Sequence, residues 1–173
     1  MNTLKESESI TLEHLIRNPD DFPIVVMTDH LEDPYNFGAI IRSSLGFGAK
    51  AVIYPKDRQV SLTEGVIKAS AGTARQMPLI RVTNLAQTID HLTNAGFWIY
   101  GLEGTSKEKL PTFKPNFPCV LIAGNEHRGL SPLLVKKTHS LIAIPMTSQL
   151  ESLNVSVATG IALYQFSLHA HAS

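Results

Sequence analysis

Three short polar segments interrupt apolar stretches of the chain, and their side chains are of types that bind or activate ligands. These side chains are, in chain order, Asn36 and Arg42, then Glu126, then Ser152 and Asn154. A guanidinium is a fixed cation that binds phosphate, and in that role it could act on a neighbouring hydroxyl group. A carboxylate can orient the guanidinium, and amide and hydroxyl groups can hold both. The three segments are therefore a candidate site for a phosphate-bearing substrate.

Four of these five side chains also have an ordinary structural interpretation. Arg42, within an otherwise apolar predicted helix, could simply extend from the helix edge to solvent. Glu126 could be a solvated loop carboxylate or a partner for Arg128, although the glycines on either side favour close approach of the backbone to a ligand. Ser152 and Asn154 are residue types that cap helices. An arginine is also a poor base, because its pKa lies above about 12.

Strands and helices alternate along the chain, and they must position these polar segments. A continuous apolar run, typical of a parallel strand covered on both faces, occurs at 23–27. Further strands are predicted at 51–54, 79–82, 97–102, 120–123 and 141–144. Helical spacing and caps predict helices at 10–18, 37–47, 63–70, 85–95, from 132 onward, and 153–169. Asn84 and Ser131 are the predicted caps of two of these helices, and Gly96 the residue that ends one. The predicted fold class is α/β, a mostly parallel sheet flanked by helices.

Every unusual polar segment follows the end of a predicted strand. Ligands of open α/β sheets bind beyond the carboxyl ends of the strands. The segments that share this position are Thr28–Asn36, Gly101–Thr105, Gly124–Gly129 and Pro145–Asn154. We therefore expect them to form one site. The segment 106–118, with three prolines and three lysines, is predicted to be a loop.

Composition and charge limit the class of protein. The 173 residues favour a single domain with its own core, and no apolar run approaches the ~18–20 residues that span a bilayer. The N-terminus lacks a basic region followed by an apolar one, so no secretory signal is predicted. Residues 1–33 hold eight acids against Lys5 and Arg17, and the remaining thirteen Lys and Arg outnumber seven acids. A basic body is compatible with a phosphate-bearing partner.

Motif searches exclude several chemistries. The sequence has neither a phosphate-binding GxxxxGK[ST] loop nor a GxGxxG turn, and it lacks a GxSxG nucleophile elbow. Its histidines are scattered without metal-ligand spacing, so no metal site is predicted. Cys119, the only cysteine, lies in an apolar strand and is interpreted as a buried small hydrophobe. A single cysteine fits a reducing compartment, and the predicted location is the cytoplasm.

The three polar segments together resemble the three motifs of a known family. NFGAIIRSSLGFGA, LIAGNEHRGLSP and IPMTSQLESLNVSVATGIALYQF are similar, in order and spacing, to those of the SpoU (TrmH) family of RNA ribose 2′-O-methyltransferases, within the SPOUT superfamily. The stretch KASAGTARQMPLIRVTNLAQTIDHLTNAGFWIYGLEG also resembles members that modify 23S ribosomal RNA. The resemblance runs from about Ile24 to Phe166. It implies a C-terminal trefoil knot, an exception to the rule that chains avoid knots.

The resemblance also implies a cofactor and an assembly. Members of the family bind S-adenosylmethionine, mostly through backbone groups of the knotted loops, and they work as homodimers with the site near the subunit interface. The matching cofactor positions in this sequence are Gly124, Ile144, Leu153, Leu102, Gly104 and Thr105. Arg42 matches the catalytic arginine, and the other invariant polar positions match Asn36, Glu126, Ser152 and Asn154.

The implied reaction is transfer of a methyl group to a ribose 2′-OH of rRNA or tRNA, without a metal ion. In this interpretation Asn36 and Glu126 hold Arg42, which contacts the hydroxyl and the adjacent phosphate, while Ser152 and Asn154 fix the local geometry. Two other functions stay open at this point. One is a non-catalytic RNA-binding or ribosome-assembly factor with the same fold, and the other is an enzyme that methylates an RNA base.

The N-terminal region departs from the family pattern. Many members that act on ribosomal RNA carry an additional N-terminal RNA-binding domain. Here residues 1–23 are predicted to be a short acidic extension and residues 24–173 the methyltransferase domain. Substrate recognition is then expected to come from the catalytic body, the groove between subunits or another protein, and a minimal tRNA methyltransferase is also possible.

Overall fold

In the part of the chain that the structure describes, seven strands form one sheet. The structure, a computed structural model, describes residues 9–170; residues 1–8 of the predicted extension and residues 171–173 lie outside this range. The strands are β1 Ile24–Thr28, β2 Ala51–Pro55, β3 Leu79–Val82, β4 Trp98–Leu102, β5 Glu108–Lys109, β6 Cys119–Ala123 and β7 Ser140–Ala143. They are parallel throughout and follow the order β3-β2-β1-β6-β4-β7-β5.

Among the described residues, six α-helices flank the sheet. They are α1 Leu12–Arg17, α2 Pro34–Gly46, α3 Glu64–Ala69, α4 Leu85–Asn94, α5 Pro132–Val135 and α6 Val155–Ala170. The caps explain several boundaries: the Asp33 carboxylate accepts a hydrogen bond from the Tyr35 amide at the start of α2, and Pro34 occupies the first position of that helix. Asn84 caps α4 in the same way, through the Gln87 amide.

Two hydrophobic cores cover the two faces of the sheet. Helices α2, α3 and α6 pack on one face, where Phe37 and Phe166 are fully buried. Helices α1, α4 and α5 pack on the other face, around Leu15 and Ile89. Full burial of such a side chain stabilises the fold by about 1.5–3 kcal/mol. Both faces of the central strands are thus covered, which is why these strands read as continuous apolar runs.

The α/β class and the parallel sheet predicted from sequence are confirmed. The Asn84 cap, the left-handed Gly96 after α4 and the burial of Cys119 are confirmed as well. Ser131 occupies the N-cap position of α5 and Pro132 its first position, as predicted, but the Ser131 side chain makes no capping hydrogen bond. The trefoil knot and the division into residues 1–23 and 24–173 stay predictions.

Two boundaries differ from the prediction for local reasons. The segment 106–118 is not wholly a loop: β5 adds to the sheet beside β7, and a turn of 3₁₀ helix follows at Leu110–Thr112. Strand β5 has only two residues and an exposed, charged composition, so it gives no apolar signal. Helix α6 begins at Val155 rather than Leu153, because Asn154 is its cap.

The strand order brings four loops together. Strand β6 lies between β1 and β4, and β7 lies beside β4. The carboxyl ends of these four strands therefore meet along one stretch of the sheet edge. No helix within residues 9–170 has the length and apolar character needed to cross a bilayer.

Candidate active site

The loop that follows β6, residues 124–131, forms the middle of the site and is held by hydrogen bonds of its own. Asn125 and Gly129 form an antiparallel bridge. The Asn125 Oδ1 accepts hydrogen bonds from the amides of His127, at 2.9 Å, and Arg128, at 3.1 Å. Its Nδ2 donates to the His30 carbonyl, at 2.8 Å, in the segment that follows β1. One buried side chain thus fixes both the shape of the loop and its position on the sheet edge.

The two glycines of this loop serve the fold of the loop itself. A Cβ on Gly124 would lie 2.6 Å from the Gly129 carbonyl carbon and 2.7 Å from the Leu130 amide nitrogen. Gly129 has φ +66°, in the left-handed region that favours glycine. The sequence suggested close approach of the backbone to a ligand, but the close approach that the structure shows is between two parts of the loop.

Glu126 connects this loop to the start of α2. Its carboxylate accepts hydrogen bonds from the amides of Glu32, at 3.1 Å, and Asp33, at 3.0 Å. The Asn36 side chain donates a longer one to it, at 3.4 Å. Burial raises the pKa of the Glu126 carboxyl, but the hydrogen bonds that the carboxylate accepts outweigh burial, so the pKa lies below its ordinary value.

Asn154 extends this connection to α6. Its Nδ2 donates a hydrogen bond to Asn36 Oδ1, at 3.0 Å. Its Oδ1 accepts from the amides of Ser156, at 2.9 Å, and Val157, at 3.3 Å, and so caps the helix. The capping role and the site role expected from sequence therefore coexist in one amide. The side chains of Glu126, Asn36 and Asn154 thus form a continuous hydrogen-bonded series, which we call the Glu126–Asn36–Asn154 network.

Arg42 and Ser152 are not part of the Glu126–Asn36–Asn154 network. Arg42 is exposed and makes neither a hydrogen bond nor an ion pair with any residue that the structure describes. Arg42 lies six positions after Asn36, a rotation of about 600° around the helix axis, so the two side chains leave α2 on different sides. Within one copy of the protein, Asn36 and Glu126 make no hydrogen bond or ion pair with Arg42, so the expectation that they hold it is not met. Ser152 is exposed in the loop before α6.

A cavity of about 350 Å³ opens beside the Glu126–Asn36–Asn154 network, and we call it the α6 cavity. It lies beyond the ends of β4, β6 and β7, against the first turn of α6. Glu126 and Ser152 are part of its wall. The wall also contains all six residues that the sequence predicted for the cofactor: Leu102, Gly104, Thr105, Gly124, Ile144 and Leu153.

The lining of the α6 cavity is apolar and acidic. Ile142, Met146 and Val155 contribute aliphatic surface. Three carboxylates also line it, from Glu103, Glu126 and Glu151, whereas none of the described lining residues is a lysine or an arginine. No group of three or more metal-ligand side chains occurs within residues 9–170. This lining suits an organic ligand that carries positive charge.

An exposed apolar face lies on the outer side of α2 and α6. We call this the α2–α6 face; Phe47, Val157, Ile161, Tyr164 and Leu168 belong to it. The four residues on α6 recur every three or four positions and are 40–53% exposed. Ala39, three positions before Arg42, and Ser43, the residue after it, also line the groove on this face. Arg42 therefore lies at the border of an uncovered apolar surface.

Sequence reasoning missed several residues of the site. Asn125 lies between the predicted site residues Gly124 and Glu126. Nothing in its residue type indicated that it is buried and holds the loop, rather than being an exposed loop amide. Asp29, whose side chain is 2% exposed, accepts a hydrogen bond from the Ser131 amide and holds the other end of the loop. A carboxylate directly after a buried strand was the signal available for it. Glu103 and Glu151 carried no signal beyond their places after strands.

The fold and the site define an α/β protein with a ligand cavity at the carboxyl edge of a parallel sheet. The chain belongs to the SpoU rRNA methylase family, whose family model matches residues 23–164. The 23S rRNA (guanosine-2′-O-)-methyltransferase RlmB of Pseudomonas putida is 37% identical over 156 residues, which cover 90% of this chain and 63% of the relative. The chain spans 57–63% of the length of the curated relatives that it matches.

Solved structures agree with this assignment. An AdoMet-bound rRNA methyltransferase from Sinorhizobium meliloti matches with a TM-score of 0.78 and 28% identity, covering 85% of this chain and 56% of the other. The TrmH/SpoU tRNA modifying enzyme of A. aeolicus matches with a TM-score of 0.77 and 28% identity, covering 93% of this chain and 85% of the other.

Proposed function

We propose that this protein is an S-adenosylmethionine-dependent RNA methyltransferase that transfers a methyl group to a ribose 2′-OH of rRNA or tRNA. The observation that carries the proposal is the α6 cavity. Its wall includes all six predicted cofactor residues, and it adjoins the Glu126–Asn36–Asn154 network. Family membership supports the same reaction class. The AdoMet-bound relative has the same fold.

The α6 cavity fits the cofactor in size and in chemistry. Its volume of about 350 Å³ lies in the range of ~300–1,000 Å³ that small-molecule sites have. Leu102, Ile144 and Leu153 offer aliphatic surface to an adenine ring. Glu103 and Glu151 offer negative charge to a sulfonium or an ammonium group. When bound, the cofactor supplies an electrophilic methyl group.

In the proposed reaction, the Glu126–Asn36–Asn154 network orients the reactants. Glu126 and Asn36 fix the start of α2 against loop 124–131, and Asn154 fixes the start of α6 against α2. Such positioning of a nucleophile and a methyl group is the source of the high effective molarities of oriented reactions. Arg42 would contact the 2′-OH and the neighbouring phosphate and assist the loss of the proton.

We also propose that the protein is a homodimer that buries the α2–α6 face. Helix α6 is apolar on both sides: Leu163 and Phe166 face the core, whereas Ile161 and Tyr164 are exposed. A helix that is apolar all round is normally buried all round, and a second copy of the same face is self-complementary in a two-fold dimer. Ile161→Asp should then give monomers in analytical ultracentrifugation, whereas Ile67→Asp, on partly exposed α3, should leave the assembly unchanged.

A dimer would give Arg42 a place in the site. Arg42 lies beside the α2–α6 face and makes neither a hydrogen bond nor an ion pair with the other predicted site residues of its own chain, all of which the structure describes. In the proposed dimer it reaches the α6 cavity of the partner subunit. Mixing Arg42→Ala subunits with Gly124→Ala subunits, each inactive alone, should then restore methyl transfer in the mixed dimers. No recovery in verified mixed dimers would contradict this placement.

The substrate is an RNA, and the proposed location is the cytoplasm, where rRNA and tRNA are available. One similar protein is named for 23S rRNA and another for tRNA modification. Titration calorimetry with S-adenosylmethionine tests the proposal directly. We expect saturable binding by wild-type protein and its loss in Leu153→Asp. Folded wild-type protein that gave no binding heat would instead favour a non-catalytic RNA-binding factor.

A further inference from the structure

A second cavity, of about 450 Å³, lies at the same edge of the sheet, and we call it the α4 cavity. It opens on the face that carries α4 and α5, beyond the ends of β1, β2, β3 and β6. The connections run outward from β1 to β3 and then cross back to β4, so their direction reverses beside β1. Ligands of open α/β sheets bind at this reversal point. The proposed cofactor site does not use the α4 cavity.

Two arginines from different loops face the α4 cavity. Arg58 follows β2 and is exposed, and Arg128 belongs to loop 124–131. Arg128 is 74% exposed and pairs with the half-exposed Glu32 at 3.3 Å. A surface pair of this kind contributes about 0–1 kcal/mol. A phosphate group could therefore replace Glu32 as the partner of Arg128 at little cost, and bidentate binding of phosphate is what a guanidinium does best.

A buried carboxylate holds a third polar group against the same wall. Asp29 accepts hydrogen bonds from the Ser131 amide, at 2.7 Å, and from His30 Nδ1, at 2.6 Å. Because an ionised carboxylate only accepts, the imidazole carries its proton on Nδ1. His30 is 29% exposed and lines the cavity. Both Asp29 oxygens are thus hydrogen-bonded within the protein, which leaves the two arginines as the charged groups with exposed side chains at this cavity.

The start of α4 adds backbone donors. Asn84 caps only the Gln87 amide. The amides of Leu85 and Ala86, in the first turn of this ten-residue helix, have no partner within the helix, and both residues line the cavity. The positive end of the helix dipole therefore faces the same space as the two guanidinium groups.

We propose that the α4 cavity binds a phosphate group of the RNA strand beside the methylated nucleotide. The proposal rests on the proposed function and adds a location for the substrate backbone. Asn125 and Gly129 line both cavities, so a single loop separates them. A strand that presents its ribose to the α6 cavity can therefore place a neighbouring phosphate in the α4 cavity. Such contacts fix register and orientation without reading the base.

Salt-dependent RNA binding tests this proposal. The probe is a fluorescein-labelled single-stranded RNA of mixed sequence, followed by anisotropy at ionic strengths from about 50 to 200 mM. Arg58→Gln and Arg128→Gln should each weaken binding. The double variant, which loses the contact to one phosphate, should bind most weakly and reduce the slope of log K against log salt by about 0.7. Arg17→Gln is the matched control, because Arg17 is also 72% exposed and ion-paired, with Glu13.

The contradicting results are specific. A double variant with the RNA affinity and salt slope of wild type would overturn the proposal. So would binding of inorganic phosphate that depends on Arg58 and Arg128 while RNA binding does not, because the cavity would then hold a free anion. Calorimetry with S-adenosylmethionine on the same variants should give wild-type affinity. If folded wild-type protein does not bind S-adenosylmethionine, the proposed function is refuted. The anisotropy result alone then shows whether the α4 cavity binds RNA phosphate.

Discussion

The two cavities at the carboxyl edge of the sheet differ in charge although one loop separates them. Glu103, Glu126 and Glu151 line the α6 cavity. Arg58 and Arg128 line the α4 cavity, where the only described carboxylate, that of Asp29, is already hydrogen-bonded. The acidic side suits a cationic methyl donor, and the basic side suits a phosphate backbone. The edge of one sheet can thus bind two oppositely charged ligands close together.

Loop 124–131 maintains this difference because neighbouring residues point to opposite sides. The Glu126 carboxylate turns toward α2 and the α6 cavity, and the Arg128 guanidinium turns toward Glu32 and the α4 cavity. Asn125, between the two cavities, fixes the backbone of the loop through three hydrogen bonds. Under the proposed function, the shape of this one short loop would set how cofactor and substrate lie relative to each other.

The largest expected effect follows from deforming the loop. In Gly124→Ala the new Cβ would lie 2.6 Å from backbone, which cannot move as a side-chain tip can. We expect cofactor affinity to fall more than ~10-fold and the free energy of unfolding to fall by about 1–3 kcal/mol, as in overpacked cores. RNA affinity should fall too, because the loop lines both cavities. Calorimetry, anisotropy and denaturant unfolding measure the three quantities.

Gly46→Ala is the control for that substitution, because a Cβ there meets no atom within 4 Å. It should leave both affinities unchanged. Loss of cofactor binding with wild-type RNA binding in Gly124→Ala would show that the two cavities do not depend on one loop.

Removing the guanidinium of Arg42 should affect the chemical step alone. Arg42 lines neither cavity of its own chain, so Arg42→Ala should leave cofactor affinity within about twofold of wild type. The rate of methyl transfer should fall by about 10²–10³, the cost of losing a donor that stabilises developing charge. Arg42→Lys should recover little, because an ammonium lacks the planar fork. Wild-type turnover in Arg42→Ala would refute the role proposed for this residue.

Two substitutions at Asn154 separate its cap from its contact with Asn36. Asn154→Ala removes both and should lower the free energy of unfolding by about 1 kcal/mol, with slower methyl transfer. Asn154→Ser keeps a capping oxygen but lacks the amide Nδ2 that donates to Asn36 Oδ1. It should therefore recover stability but not turnover, measured by denaturant unfolding and single-turnover kinetics. Equal recovery of both would show that the amide serves only as a cap.

The smallest expected effect is the pH dependence that Glu126 contributes. Its pKa is lower in the folded protein than in the unfolded chain, so the ionised carboxylate stabilises the fold above the unfolded value of about 4.3. That contribution is lost as the pH falls through the lowered, folded pKa. Glu126→Gln should therefore have a lower Tm than wild type at pH 7, and the difference should shrink below about pH 4. A difference that stays constant from pH 7 to pH 3 would contradict this.

The sequence was most informative where backbone periodicity and apolar runs determine structure. Strands β1 and β6 are buried on both faces, and their apolar runs identified them within one residue. Strand β5 has two exposed charged residues and joins the sheet only because β7 is beside it, so no local pattern could reveal it. Similarly, Ser131 has the residue type of a cap but makes no capping hydrogen bond.

The site was predictable as a set of residues but not as a geometry. The carboxyl-end rule and the family resemblance together selected the residues that line the α6 cavity. They did not reveal that Asn36 and Arg42 leave α2 on different sides, because that depends on which side of the helix the sheet covers. They also did not distinguish the α4 cavity, since Arg58 and Arg128 lie 70 residues apart in different loops.

Methyl transfer from labelled S-adenosylmethionine to total RNA tests the central claim most directly. After transfer, the RNA is digested to nucleosides, and the labelled nucleoside is identified by mass spectrometry. We expect label in a 2′-O-methyl nucleoside of one RNA class with wild-type protein, and none above background with Arg42→Ala. Label in a methylated base, or no label from folded protein that binds the cofactor, would contradict a ribose 2′-O-methyltransferase.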